Sequence, residues 1–182
     1  MRNISWRAAL ATVCLVLVAA PQAFAAGKSL KETLGYIRDR FAAQGEVSYT
    51  MKLHDSADSS DWSQSMTGQA TKVIFSVANC SLSYHWNTSS DGKQIQDFDV
   101  TWNFRNGRKV GVVSREEEVR TQAINDGHAT WTAIVSPPVW VVTLTFSDHA
   151  GVANFTNKDN AERFARAVDH AMELCGAAKE DF

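Results

Sequence analysis

Residues 159–175 read DNAERFARAVDHAMELC, and this stretch decides how the rest of the chain is read. Phe164, Val168, Met172 and Cys175 recur at spacings of four, four and three, so a helix places them on one face. Glu162, Arg163, Arg166, Asp169 and Glu173 fall mostly on the other. Asp159 with Glu162 fits a capping box, and Gly176 stands just past the last periodic residue. The spacing predicts a helix from Asp159 to Cys175 whose apolar stripe must be buried. Nearly everything before it has the period of strands, so the helix is expected to close a sheet.

Working back toward the N-terminus, Val139 to Phe146 is apolar apart from its threonines and predicts a central, covered strand. Pro137-Pro138 breaks pairing before it. Trp131–Val135 and Val119–Ile124 are expected strands, with Asp126-Gly127 as the turn between them. The charge run Arg115-Glu116-Glu117-Glu118 is expected to cap a turn. Lys109–Ser114 is expected to return from Asn106-Gly107, a strong hairpin signal because both residues tolerate positive φ. Phe98, Val100, Trp102 and Phe104 alternate with polar residues. So do Cys80, Leu82, Tyr84 and Trp86, with Asp91-Gly92 as the turn between the two runs. Lys72–Val77 is another apolar run, His54–Ser65 reads as a polar loop, and Val47, Tyr49, Met51 and Leu53 alternate as a half-buried strand. Gly27–Gln44 predicts a first helix, with a capping box at Ser29/Glu32, a stripe of Leu30, Leu34, Ile37 and Phe41, and Gly45 as its stop.

Residues 1–25 read as something other than structure. Arg2 and Arg7 give a basic start, and Ala8–Ala20 is an apolar run of thirteen residues, short for a membrane span. Ala23 and Ala25 are small at the two positions a signal peptidase reads. The expectation is a signal peptide over 1–25 and a single globular domain over 26–182, exported to the periplasm or secreted; the alternative is an uncleaved anchor. The residues before Cys14, Ala11-Thr12-Val13, do not form a lipobox. Removing the leader would leave sixteen Lys and Arg against twenty Asp and Glu, a net charge of −4. That balance speaks against nucleic acid and against stable binding to anionic membranes.

Helix, seven or eight antiparallel strands, then helix argues for an α+β fold or a small barrel, not a βαβ fold. About seven strands closed by one C-terminal amphipathic helix resembles the pleckstrin-homology-like barrel, over roughly Glu46 to Gly176. The ending AERFARAVDHAMELCG resembles, more narrowly, the closing helix of small exported bacterial proteins of that fold. The tryptophan that such helices usually carry has no counterpart, so Phe164 or Met172 would fill its space. The resemblance implies a packed barrel. Lipid-binding members carry Lys and Arg in an early loop; here that loop holds Asp55, Asp58 and Asp61, so headgroup binding does not carry over.

The sequence holds no G-x-S-x-G, no Gly-rich phosphate loop and no H-E-x-x-H. The histidines at 54, 85, 128, 149 and 170 are scattered. No catalytic, cofactor-binding or metal-ligating residue is therefore assigned, and no cofactor is expected. Trp62, between Asp61 and Ser63, is a possible ligand contact that could stack on a sugar or peptide, or could tuck under its own loop. Cys80 and Cys175 remain after the leader, each in the apolar phase of its element. Both should point into one core, and export to an oxidising compartment favours a disulfide over two buried thiols that never meet. The expected function is an exported, non-enzymatic binding module for an unknown protein or small-molecule ligand. The alternatives are a lipocalin-like small-ligand carrier, which needs an interior cavity, and an enzyme whose site is assembled from scattered residues.

Overall fold

The computed structural model describes residues 28–177, so the leader reading of residues 1–25 lies outside the described residues. The chain runs α1 (Leu30–Gln44), β1 (Glu46–Asp55), β2 (Ser60–Ser76), β3 (Ser81–Ser90), β4 (Lys93–Asn103), a 3-10 turn (Phe104–Asn106), β5 (Gly107–Ser114), α2 (Arg115–Asn125), β6 (Trp131–Ser136), β7 (Trp140–Phe146), β8 (Ala150–Phe155) and α3 (Lys158–Leu174). It is an α+β fold. The strands form two antiparallel sheets, ordered β4-β3-β2-β1-β6 and β5-β7-β8. They do not close into one barrel, which corrects the barrel expected from the sequence.

The local signals explain most elements. Ser29 caps α1: its hydroxyl accepts the Glu32 N–H at 3.3 Å, and the Glu32 carboxylate accepts the Ser29 N–H at 2.8 Å. Leu34, Ile37 and Phe41 of α1 are buried as the stripe predicts. At α3 the cap is Asn157, not Asp159: its side chain accepts the Asn160 N–H at 3.0 Å. Asp159 sits in the first turn instead, where its charge complements the helix dipole. The far end is a Schellman motif. Gly176 has φ 73°, Ala177 N–H bonds Met172 O at 3.0 Å, and Gly176 N–H bonds Glu173 O at 3.0 Å.

Further expectations fail for identifiable reasons. Residues 54–65 form the β1–β2 hairpin, with His54 opposite Asp61 and Leu53 opposite Trp62. Their polarity reflects a hairpin end standing in solvent. Asn106-Gly107 makes no hairpin, because β5 leaves β4 and pairs with β7; Gly107 has φ −66°, so no positive φ is needed there. Residues 119–124 lie in α2, and the charge run at 115–118 is its first turn, capped by the Ser114 hydroxyl on Glu117 N–H at 3.1 Å. The strand β8 is six residues long, and its alternation is too short to mark it in the sequence.

The core lies where α1 and α3 meet the sheets. Phe41 from α1 stacks on Trp102 of β4 at 5.4 Å and meets Tyr84 of β3 edge-on at 4.8 Å. Phe164 of α3 lies 4.9 Å from Phe155 and 6.4 Å from Trp102. Phe164, Val168 and Met172 are fully buried, each worth about 1.5–3 kcal/mol of burial. Alanines 161, 167 and 171, also fully buried, let α3 come close to its neighbours. Cys80 and Cys175 form the disulfide, Cα atoms 5.9 Å apart, tying the turn before β3 to the end of α3.

Candidate functional site

Two sheets that do not close leave two seams. At one end the edge strands are β6 and β5, and α2 packs against both. Glu116 of α2 accepts the Val135 N–H at 2.9 Å, and Arg115 reaches from its ion pair with Glu118 to the Asn154 side chain at 2.5 Å. The Arg115 guanidinium also lies 5.7 Å from the Tyr49 ring centre. That seam is filled.

The other seam, between the edge strands β4 and β8, is open among the described residues. It holds a cleft of about 430 Å³. Its floor is the inner face of the five-stranded sheet: Tyr84, Trp86, Phe98 and Val100. Its far wall is His149 to Val152. The period of two puts these floor residues on one face, and the register pairs Trp86 with Phe98 and Tyr84 with Val100. Trp86 and Tyr84 are buried, whereas Phe98 is 47 % and Val152 37 % exposed. Phe98 shares the apolar phase of Trp102, and because β4 is the terminal strand of its sheet it stands at the lip.

Beside the cleft, Trp102 and Gly151 come into contact across the two sheets. Trp102 is fully buried, and its indole N–H has no hydrogen-bond partner. The Tyr84 hydroxyl is near enough to feel that N–H without meeting hydrogen-bond geometry. Burial dominates there and pushes the Tyr84 hydroxyl well above the usual tyrosine range, with the Trp102 contact opposing it weakly. Tyr84 therefore stays neutral.

The opposite, solvent face of β4 is polar and acidic. His85 of β3 bridges Asp97 at 2.6 Å through Nε2 and Asp99 at 2.9 Å through Nδ1. Each ring nitrogen takes a different carboxylate, so the three side chains do not converge on one point. Among the described residues no group of His, Cys, Asp or Glu is arranged to hold a metal ion. His149 at the far wall stacks on Phe146 at 4.6 Å and contacts Asp148 at 2.8 Å.

Trp62, the contact proposed from sequence, stands on β2 near the hairpin end and is 48 % exposed. It lines a separate depression of about 360 Å³ with Lys52, Leu53, Asp61 and Ser63. The acidic residues beside it serve the hairpin. Asp55 accepts from Thr130, Ala57 N–H and Trp131 Nε1, and Asp58 caps the turn at Ser60 N–H. The structure thus separates Trp62 from the β4–β8 seam. Sequence reasoning missed that seam because its residues lie on strands whose pairing no local signal specifies. No family model matches the sequence, and no curated protein is significantly similar to it. No helix of the described residues is long and apolar enough to cross a membrane.

Proposed function

We propose that this is an exported, non-enzymatic binding module whose ligand sits in the β4–β8 seam. One observation carries the reading: the fold covers its second seam with a helix and leaves this one as an aromatic-floored cleft with an exposed apolar lip. The fold is read as pleckstrin-homology-like, a β1–β4 meander followed by a second sheet and a closing helix, with α2 and β6 inserted. Export rests on the N-terminal leader pattern and is compatible with the disulfide. A lipocalin-like carrier would need an enclosed cavity, and the space between the sheets is taken by Trp102, Phe104, Phe155 and Phe164. The acidic balance and the carboxylates of the first hairpin favour a partner that is neither nucleic acid nor anionic lipid.

The test is binding of an uncharged apolar dye, N-phenyl-1-naphthylamine, to the purified protein. Its fluorescence should rise on binding and be lost with Phe98→Asp and Val152→Asp, both surface changes that leave the core intact. No dye binding, or binding indifferent to both substitutions, would remove the seam from consideration.

A further inference from the structure

Resting on that reading of the seam, we propose that its natural occupant is an extended segment of a partner protein. The segment adds to β4 as a further strand and carries basic residues alternating with apolar ones. The backbone parity of β4 sets the geometry. Phe104 N–H bonds Cys80 O at 2.9 Å, and the register from Ser81/Asn103 through Trp86/Phe98 is unbroken. Along an antiparallel pair the exchanged hydrogen bonds fall on every second residue. Trp102, Val100 and Phe98 thus spend their backbone groups on β3. The N–H and C=O groups of Asp97, Asp99 and Thr101 point outward, and β4 is the terminal strand of its sheet. An eleven-residue strand with its edge unpaired is a template for another strand.

The same parity dictates the partner's side chains. Residues placed opposite Asp97 and Asp99 would share their solvent face, where the carboxylates are 44 % and 89 % exposed; complementarity asks for Lys or Arg there. Residues opposite Phe98 and Val100 would turn inward over the cleft, beside Trp86 and Val152, and these should be apolar. A second copy fits worse. A two-fold antiparallel pairing centred on Phe98 would set Asp97 across from Asp99 twice, and like charges directly opposite are destabilising. On this view the carboxylates keep β4 from pairing with itself while selecting a basic strand.

The experiment titrates the purified protein with three blocked heptapeptides. One alternates Lys and Val, one has Glu for Lys, and one has Pro for the third residue of the Lys form, a Lys whose N–H would face β4. The Lys peptide should bind saturably and protect the amides of Asp97, Asp99 and Thr101 from hydrogen exchange. The Glu peptide should bind about tenfold more weakly, and the Pro peptide, which cannot complete the ladder, should not bind. The variant carrying Asp97→Asn and Asp99→Asn should lose most of the preference for Lys over Glu. Equal binding of the Lys and Glu peptides, undiminished binding of the Pro peptide, protection elsewhere, or sedimentation as a dimer paired through β4 would each overturn the proposal. If the Lys peptide fails while the naphthylamine dye still binds and still responds to Phe98→Asp, strand addition falls and the seam stands. If both fail, the binding reading falls with it.

Discussion

The indole Nε1 of Trp102 lies against the α-carbon of Gly151, so close that a β-carbon on Gly151 would sit 2.6 Å from it. This contact joins the two sheets beside the open seam. Trp102 is fully buried and braced by Phe41, Tyr84 and Phe164, so it has little room to yield.

Gly151→Ala should therefore destabilise the domain by about 1–3 kcal/mol, the usual cost of overpacking a filled core. Gly35→Ala is the contrast: it lies in the interior of α1 with nothing within 4 Å of an added β-carbon. It should stabilise by about 0.5–1 kcal/mol through helix propensity alone. Urea unfolding of the two variants decides it. Equal effects would mean that the sheets are not in contact at Trp102.

The Cys80–Cys175 disulfide closes a separation of 95 residues, from the turn before β3 to the end of α3. The chain-entropy model assigns a loop of that size about 4–5 kcal/mol. Cys175→Ser should lower the melting temperature by many degrees and loosen α3 first, read as faster exchange of its amides. Thiol titration of the denatured, unreduced protein should find neither Cys80 nor Cys175 free.

Acid sensitivity should have a component at Asp55. The Thr130 hydroxyl, then the Ala57 N–H and the Trp131 indole, hold its carboxyl below the usual aspartate range. A folded pKa lowered in this way stabilises the protein above the unfolded value, near 4. The contribution is lost as pH falls from there through the folded value. Asp55→Asn should thus melt lower than the parent at neutral pH, and the gap should narrow below about pH 4. A gap that stays constant with pH would show that the carboxylate charge plays no part.

Tyr84 should set an alkaline limit. Its folded pKa is raised by burial, so the unfolded state ionises first, near pH 10. Stability from the neutral phenol is complete below that pH and declines as pH rises above it. Tyr84→Phe should flatten the alkaline fall in melting temperature, and absorbance at the phenolate band should show Tyr84 ionising only with unfolding.

Much of this was legible locally. The capping box at Ser29 and the stripe of α1 are properties of a few neighbouring residues, and the structure keeps them. The inward phase of Cys80, Leu82, Tyr84 and Trp86 survives even though Cys80 itself sits in a turn at φ 50°. The helix α2 could have been found: Ser114 and Glu117 have capping-box spacing, and three acidic residues follow Arg115. Val119 and Ile124 obscured it because α2 buries only Ala123 and so shows almost no stripe.

What the sequence determined by itself is the inward phase of β3, the bounds of α1 and the stop of α3 at Gly176, since periodicity and capping act over one or two turns of chain. Strand partners are set by contacts far apart in sequence. Asn106-Gly107 has the chemistry of a hairpin, yet β5 pairs with β7, where Val110, Val112 and Leu144 join the core beneath α3. That choice splits the strands into two sheets. The position of the open seam, the exposure of Phe98 and the approach of Gly151 to Trp102 all follow from it. No local rule contains them, because a period of two gives a strand its faces and leaves its neighbour unspecified.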